Sequence, residues 1–145
     1  MMRIPKELSE LFQEKHFANY PFVEIPQSFS DERGSIENIA DGTLGDVAII
    51  TSVAGAVRAN HVHKDDWHLS YMVQGSMNYF WEAEVGKEKI VEVRSGQMVY
   101  SPPGTPHKMV FLEASSFIAI AAKNRSSKDY ESDTTRLPED YFSSQ

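Results

Sequence analysis

Between Val23 and Ala122 short runs rich in Val, Ile, Tyr and Phe alternate with clusters of Gly, Pro, Asn and Asp. The runs predict strands over residues 47–52, 56–63, 68–73, 77–82, 90–93, 98–101, 107–111 and 117–121. Turn signals separate them at Asp41-Gly42, Gly55, Gln74-Gly75, Gly86-Lys87, Ser95-Gly96 and Pro102-Pro103-Gly104. Many short strands at this spacing predict an all-β sandwich, barrel or jelly roll. Ahead of them, Pro5 suits a first helical turn, and Leu8, Leu11 and Phe12 recur at helical spacing, so residues 5–17 read as a short helix. Tyr20-Pro21 and Ile25-Pro26 then favour extended chain. After Ala122 the composition turns polar, which reads as a surface tail, docked if at all by Tyr130, Leu137, Tyr141 and Phe142. The predicted organisation is an N-terminal helix or arm over 1–22, one β domain over 23–122 and a tail over 123–145.

Length and composition narrow the classes. One domain fits 145 residues, and such a chain buries enough surface to need no staples. With 14 basic against 21 acidic residues the net charge is -7, which supplies no basic stripe for nucleic acid. There is no cysteine, so disulfides, thiolate metal sites and cysteine nucleophiles are excluded together. The first residues have no apolar h-region, and the longest apolar run, Phe117 to Ala122, is too short to span a bilayer. A cytoplasmic protein with no membrane or nucleic-acid partner is expected. Walker A, dinucleotide-fingerprint and zincin motifs are absent, and no serine has a nucleophile signature.

Four of the five histidines fall in the β region. His61 and His63 are two apart, so on a strand both face one way, with Val57 and Ala59 expected on the same side. His68 opens the next strand, sharing a face with Ser70 and Met72, and His107 opens a later one with Met109 and Phe111. A pair at i and i+2 plus single residues from two other strands can converge inside a barrel. Neutral imidazoles suit one divalent transition ion, Zn, Fe or Ni. His61, His63, His68 and His107 are therefore the candidate metal ligands, and His16 reads as an ordinary residue of the arm.

These residues carry a family resemblance. Gly55, His61-Val62-His63, His68 and Gly75 resemble the first cupin motif, and Gly96, Pro102-Pro103-Gly104 and His107 the second. Each set would arise by accident on the order of once in a thousand chains of this composition. The resemblance implies a single-domain, all-β double-stranded β-helix, the RmlC-like cupin jelly roll, holding a metal or substrate inside the barrel. His68 stands where the family usually has glutamate, and Phe111 where the second motif often has asparagine. An imidazole in place of the carboxylate would leave a bound divalent ion with a site charge of +2 rather than +1, a stronger Lewis acid.

Upstream, Asp31-Glu32-Arg33-Gly34-Ser35-Ile36 and Arg58-Ala59-Asn60-His61-Val62-His63 resemble the cupins acting on nucleotide-linked deoxysugars, the dTDP-sugar 3,4-ketoisomerases, 3,5-epimerases and WxcM-like proteins. That resemblance implies a phosphate contact for Arg33, a sugar-nucleotide contact for Arg58, a proton-abstracting role for His61, and a homodimer. By strict alternation Arg58 points away from His61, so it needs a bulge or a second subunit to reach the site. A ligating histidine is not a free base, so His61 is taken as a ligand, and Tyr71 and Tyr79 are the candidates for moving the proton. Trp81, which shares strand parity with Met77 and Tyr79, could stack on a sugar or base. Three functions remain open: a metal-containing isomerase or epimerase acting next to a carbonyl on a nucleotide-linked or oxidised sugar, a metal-dependent oxygenase or lyase on a small organic substrate, and a non-catalytic sugar or small-ligand binder.

Overall fold

A computed structural model describes residues 3–126 and 128–143. Met1, Met2, Ser127, Ser144 and Gln145, which the predicted arm and tail include, lie outside the described residues. The strands are β1 (Phe22–Val23), β2 (Gln27–Asp31), β3 (Gly34–Asn38), β4 (Asp46–Ser52), β5 (Val57–His63), β6 (His68–Gln74), β7 (Ser76–Glu84), β8 (Lys87–Arg94), β9 (Met98–Ser101), β10 (His107–Phe111), β11 (Ser115–Ala121) and β12 (Thr134–Arg136). A short helix α1 (Lys128–Asp133) precedes β12. Two five-stranded sheets form, in the orders β1-β9-β6-β11-β4 and β12-β5-β10-β7-β8, and β2-β3 stands apart as a two-stranded sheet. All the pairings are antiparallel. This is a jelly roll.

Strand parity explains the core. On β6 the side chains of His68, Ser70 and Met72 are buried, and on β10 those of His107, Met109 and Phe111. Met72, Val99, Phe117 and Ala119 of one sheet meet Met77, Tyr79, Trp81, Val93, Met109 and Phe111 of the other in one apolar cluster. Large apolar residues fill one end of the barrel interior, and the four histidines occupy the rest. Gly75 and Gly96 take φ of 98° and 88° at their turns, a left-handed backbone that glycine adopts without a Cβ penalty.

The N-terminal segment departs from its sequence reading. No helix forms over 5–17, where the structure has successive turns and a 3-10 turn at Glu14–Phe17. A segment this short is marginal as an isolated helix, and here its backbone finds better partners. Ser9 N–H bonds the Asp41 carbonyl at 2.8 Å and Thr43 N–H the Glu7 carbonyl at 2.7 Å. That close approach requires Gly42, since a Cβ there would lie 2.0 Å from the Glu7 carbonyl oxygen. Leu8, Phe12 and Phe17 bury instead against Trp67, Leu69, Tyr100 and Ile120, forming a second cluster that covers the outer face of the first sheet. At the other end the tail becomes part of the barrel wall. β12 adds to β5 with Thr134 opposite His63 and Arg136 opposite His61. Phe142 is buried against Phe80, with the Lys108 ammonium 4.6 Å and 5.8 Å from the two ring centres. Among the described residues no helix is long and apolar enough to cross a membrane.

Candidate metal centre

The site is built on a break in β5. Ala59 and Asn60 both have left-handed backbone, with φ of 63° and 56°. The β5–β10 ladder slips at this point: His107 faces His61, whereas the next residue, Lys108, faces Ala59. The extra residue is a bulge, and parity reverses across it. Arg58 therefore reaches the same cavity as His61, while Val57 turns to the outer face and is 58% exposed. This corrects the expectation that Val57 shares the face of His61. Asparagine tolerates the left-handed region, but alanine there costs about 1–2 kcal/mol, and strain of this kind collects at functional sites. The Asn60 amide is held by the carbonyls of Leu137 and Pro138 at 3.2 Å and 3.1 Å.

His61, His63 and His107 each offer one nitrogen to a cluster whose atoms all lie within 4.8 Å of one another. Ring centres are 4.4 Å apart for His61–His63 and 4.8 Å for His61–His107. The hydrogen bonds fix which nitrogen is bare in two of them. His107 Nδ1 faces the Thr105 carbonyl at 3.0 Å, an acceptor only, so it carries the proton and leaves Nε2 as a lone pair. His63 Nδ1 lies 3.1 Å from Thr134 Oγ1, whose own proton goes to the Tyr130 carbonyl, so Nδ1 of His63 must donate. The Nε2 atoms of His61 and His63 are buried without any partner. Unsatisfied buried acceptors that converge fit a divalent cation, and outer hydrogen bonds of this kind orient metal-binding imidazoles.

Burial keeps these rings uncharged. Burial first, and then the neighbouring imidazoles, together bring His61 down to about 2, His63 to about 4 and His107 to about 3. Neutral imidazole is the form that binds metal. His68 is held differently, with Nε2 3.0 Å from the buried Asp66 carboxylate. Burial opposes the charge on Asp66, yet the His68 hydrogen bond and the backbone N–H of Lys123 hold its carboxyl below the usual range. The cavity beside the cluster has a volume of about 170 Å³. Its walls include Arg58, His61, His68, His107, Arg125 and Tyr130, and among the described residues no carboxylate lines it.

No family model matches the chain, and no curated protein matches it by sequence. Solved structures do match. The sugar 3,4-ketoisomerase QdtA from Thermoanaerobacterium thermosaccharolyticum, in complex with TDP, superposes with a TM-score of 0.64 at 20% identity, covering 79% of this chain and 85% of its own. The dTDP-4-dehydrorhamnose 3,5-epimerase from Sulfolobus tokodaii gives 0.64 at 20% identity over 81% and 76%. The fold is that of the RmlC-like cupins. Oxalate decarboxylase from Bacillus subtilis is 28% identical over 64% of this chain, with a TM-score of 0.53, and the chain spans 24% of its length.

On this fold the expected site residues separate into those at the cavity and those elsewhere. The histidines and Arg58 are brought together. Arg33 sits at the tip of the β2–β3 hairpin, 80% exposed and paired with Asp31 at 2.6 Å, so it does not reach the cavity of its own chain. Tyr71 points to the outer face, where its hydroxyl donates to Glu37 at 2.7 Å. Its parity on β6 is opposite to that of His68, so it cannot serve the cavity. Tyr79 and Trp81 do face inward but are spent on packing. Tyr79 is wholly buried, its hydroxyl bonded to Ser101 at 2.7 Å, and both rings belong to the apolar cluster. Sequence reasoning missed Tyr130, Arg125 and Asp66. Tyr130 stacks on His68 at 6.4 Å and 9°, and Arg125 Nε lies 3.1 Å from Asp46 Oδ2, in an ion pair not aligned as a hydrogen bond. The first two lie in the polar segment read as a surface tail, where no periodicity marks them. Asp66 was legible only as an acidic residue two before a histidine.

Proposed function

We propose that this chain is a metal-binding cupin enzyme that moves a proton next to a carbonyl on a nucleotide-linked or oxidised sugar. The observation that carries the reading is the convergence of Arg58 with the histidine cluster on one cavity, through the bulge at Ala59 and Asn60. His61, His63 and His107 would hold one divalent ion, which when bound supplies Lewis acidity toward a carbonyl oxygen. The remaining functions fall to the protein. Arg58 is fixed in advance, its Nε donating to Ser52 at 2.7 Å and Nη2 to the Thr51 carbonyl at 2.8 Å, so its fork can meet a phosphate without reorganising. Tyr130 is kept protonated, since burial raises its hydroxyl, and it is placed to donate to a developing enolate oxygen. Met109, Phe117 and Ala119 exclude water from the inner wall.

The TDP bound in the ketoisomerase structure supports a nucleotide-linked ligand. A cytoplasmic homodimer is proposed with it. Among the described residues the β2–β3 hairpin has no further strand on either side, and it exposes Phe29 and Ile36 at 54% and 68%. A lone two-stranded sheet is marginal in water, and a second copy would cover it and carry Arg33 to a neighbouring site. One observation favours the second reading, an oxygenase or lyase on a small organic acid. The cavity, at about 170 Å³, has the size of a site for a single benzene-sized ring and two arginines on its wall.

The test uses TDP-4-keto-6-deoxyglucose, the ligand in another structure of the ketoisomerase. Zinc-loaded protein in deuterium oxide is expected to exchange deuterium into the carbon next to the keto group, read by NMR. Arg58→Ala should lower kcat/KM for this exchange by about 10–100-fold, the worth of a charged hydrogen-bonding contact. Exchange at the wild-type rate in that variant would remove Arg58 from the substrate and the reading with it.

A further inference from the structure

We propose that His68 is not a fourth metal ligand but the residue that carries the proton, with Asp66 as its positioning residue. The inference rests on the sugar reading above. It begins from how the Asp66 carboxylate is used. Oδ1 accepts the backbone N–H groups of Trp67, Ala122 and Lys123 at 2.9 Å, 3.1 Å and 3.1 Å. Oδ2 is left for His68 Nε2 at 3.0 Å. A carboxylate so held by donors is an acceptor, so Nε2 of His68 carries the hydrogen and the lone pair lies on Nδ1. His63 and His107 have the reverse tautomer, with Nε2 bare. His68 lies outside the group formed by His61, His63 and His107. It does fall into a second grouping with His63 and Asp66, but both Asp66 oxygens are already hydrogen-bonded, which makes that grouping a held pair rather than a ligand set.

His68 lines the cavity beside Arg58 and Tyr130, and its ring is clamped parallel to Tyr130 at 9°. In the step, Nδ1 takes a proton from the carbon next to the carbonyl. The C–H electron pair becomes the carbon–carbon double bond of an enolate, and the carbonyl π pair passes to oxygen. Return of the proton from His68 to the neighbouring, former carbonyl carbon restores neutral His68 and gives the isomer: the hydroxyl proton of the first carbon passes to the enolate oxygen, and its O–H electron pair becomes the new carbonyl. Asp66 stays ionised throughout, and no co-reactant is consumed.

The experiment exploits the asymmetry of the two carboxylate oxygens. In Asp66→Asn the amide oxygen can keep the three backbone donors, which turns the NH2 toward His68 and forces the ring proton onto Nδ1. Nitrogen-15 NMR of the full chain is expected to find His68 protonated at Nε2 in the wild type and at Nδ1 in the variant. Added Zn2+ should shift Nε2 of His61, His63 and His107 and leave His68 in place. His68→Gln should retain one Zn2+ per chain, and both variants should exchange deuterium into TDP-4-keto-6-deoxyglucose at least 100-fold more slowly. A zinc-dependent shift at His68 Nδ1, or loss of zinc in His68→Gln, would overturn the proton role and leave the sugar reading standing. Wild-type protein that labels no keto sugar would overturn the sugar reading, and the proton role falls with it.

Discussion

Replacing His107 by alanine will leave a folded chain whose affinity for Zn2+ is lower by at least about 1,000-fold. A metal centre of three imidazoles keeps a further position for solvent or substrate, so no ligand is redundant. His107 is the only one of the three that comes from β10, and it enters the barrel between β5 and β7, opposite His61 and Trp81. Its ring is aimed by the Thr105 carbonyl, within the loop that the prolines at 102 and 103 and Gly104 shape. Nothing else on that strand replaces it, since Met109 and Phe111 follow on the same face. The outer hydrogen bonds should matter less but measurably. Thr134→Val removes the acceptor that holds His63 Nδ1 and should cost 10–100-fold in affinity. His16→Ala should leave zinc affinity unchanged, because that ring lies on the N-terminal segment, where it accepts the Gln13 N–H at 2.9 Å and packs against Phe12. Competition titration with a chromophoric chelator and elemental analysis of the loaded protein read all three. One tightly held zinc per chain in His107→Ala would end the three-histidine assignment.

How far the sequence reached depends on what kind of signal each part carries. The barrel strands were legible because their apolar runs are dense and their turns are marked by glycine and proline, as in Met98–Ser101 and His107–Phe111, whose bounds match. β2 and β3 were not, because QSFSD and GSIEN have one large apolar residue each and no run to read. β12 reads TTR and gains its place only by pairing with the histidine strand. The histidine cluster was legible because ligands on strands recur at short fixed spacing. Strict alternation then misassigned Val57, because a bulge at Ala59 and Asn60 leaves no compositional trace. The two tyrosines expected to move the proton are placed away from the cavity for a related reason. Tyr71 and Tyr79 stood out by residue type, but one is on the outer face and the other in the apolar interior, whereas Tyr130 approaches from a polar segment. Contacts made across about 60 residues, such as His68–Tyr130, are properties of closure and not of local pattern.

Metal-free protein will lose stability steeply as the pH falls from about 6.5 toward 4. In the unfolded chain each histidine titrates near 6.5. In the folded protein His61, His63 and His107 are held neutral down to about 2, 4 and 3 by burial and by one another. Below 6.5 the unfolded state therefore binds more protons than the folded one, and stability rises with pH across that window. The stability that these groups provide is complete above the unfolded value and is lost on acidification. Each histidine contributes a slope of roughly 1.4 kcal/mol per pH unit, so three together approach about 4 kcal/mol per unit. A domain with 5–15 kcal/mol to lose should unfold cooperatively within about two to three units of pH 6.5. The depressed carboxyl of Asp66 adds its own loss only further into acid, below the ordinary carboxylate range. Urea denaturation of chelator-treated protein at pH 7.5, 6.0 and 5.0 reads the slope, and His61→Phe should flatten it by about a third. Bound zinc should move the whole curve upward and steepen it, because protons and metal compete for the same nitrogens. A urea midpoint that stays constant from pH 7.5 to 5.0 would mean that the three rings are not held neutral by burial, and the same finding would weaken their suitability as ligands.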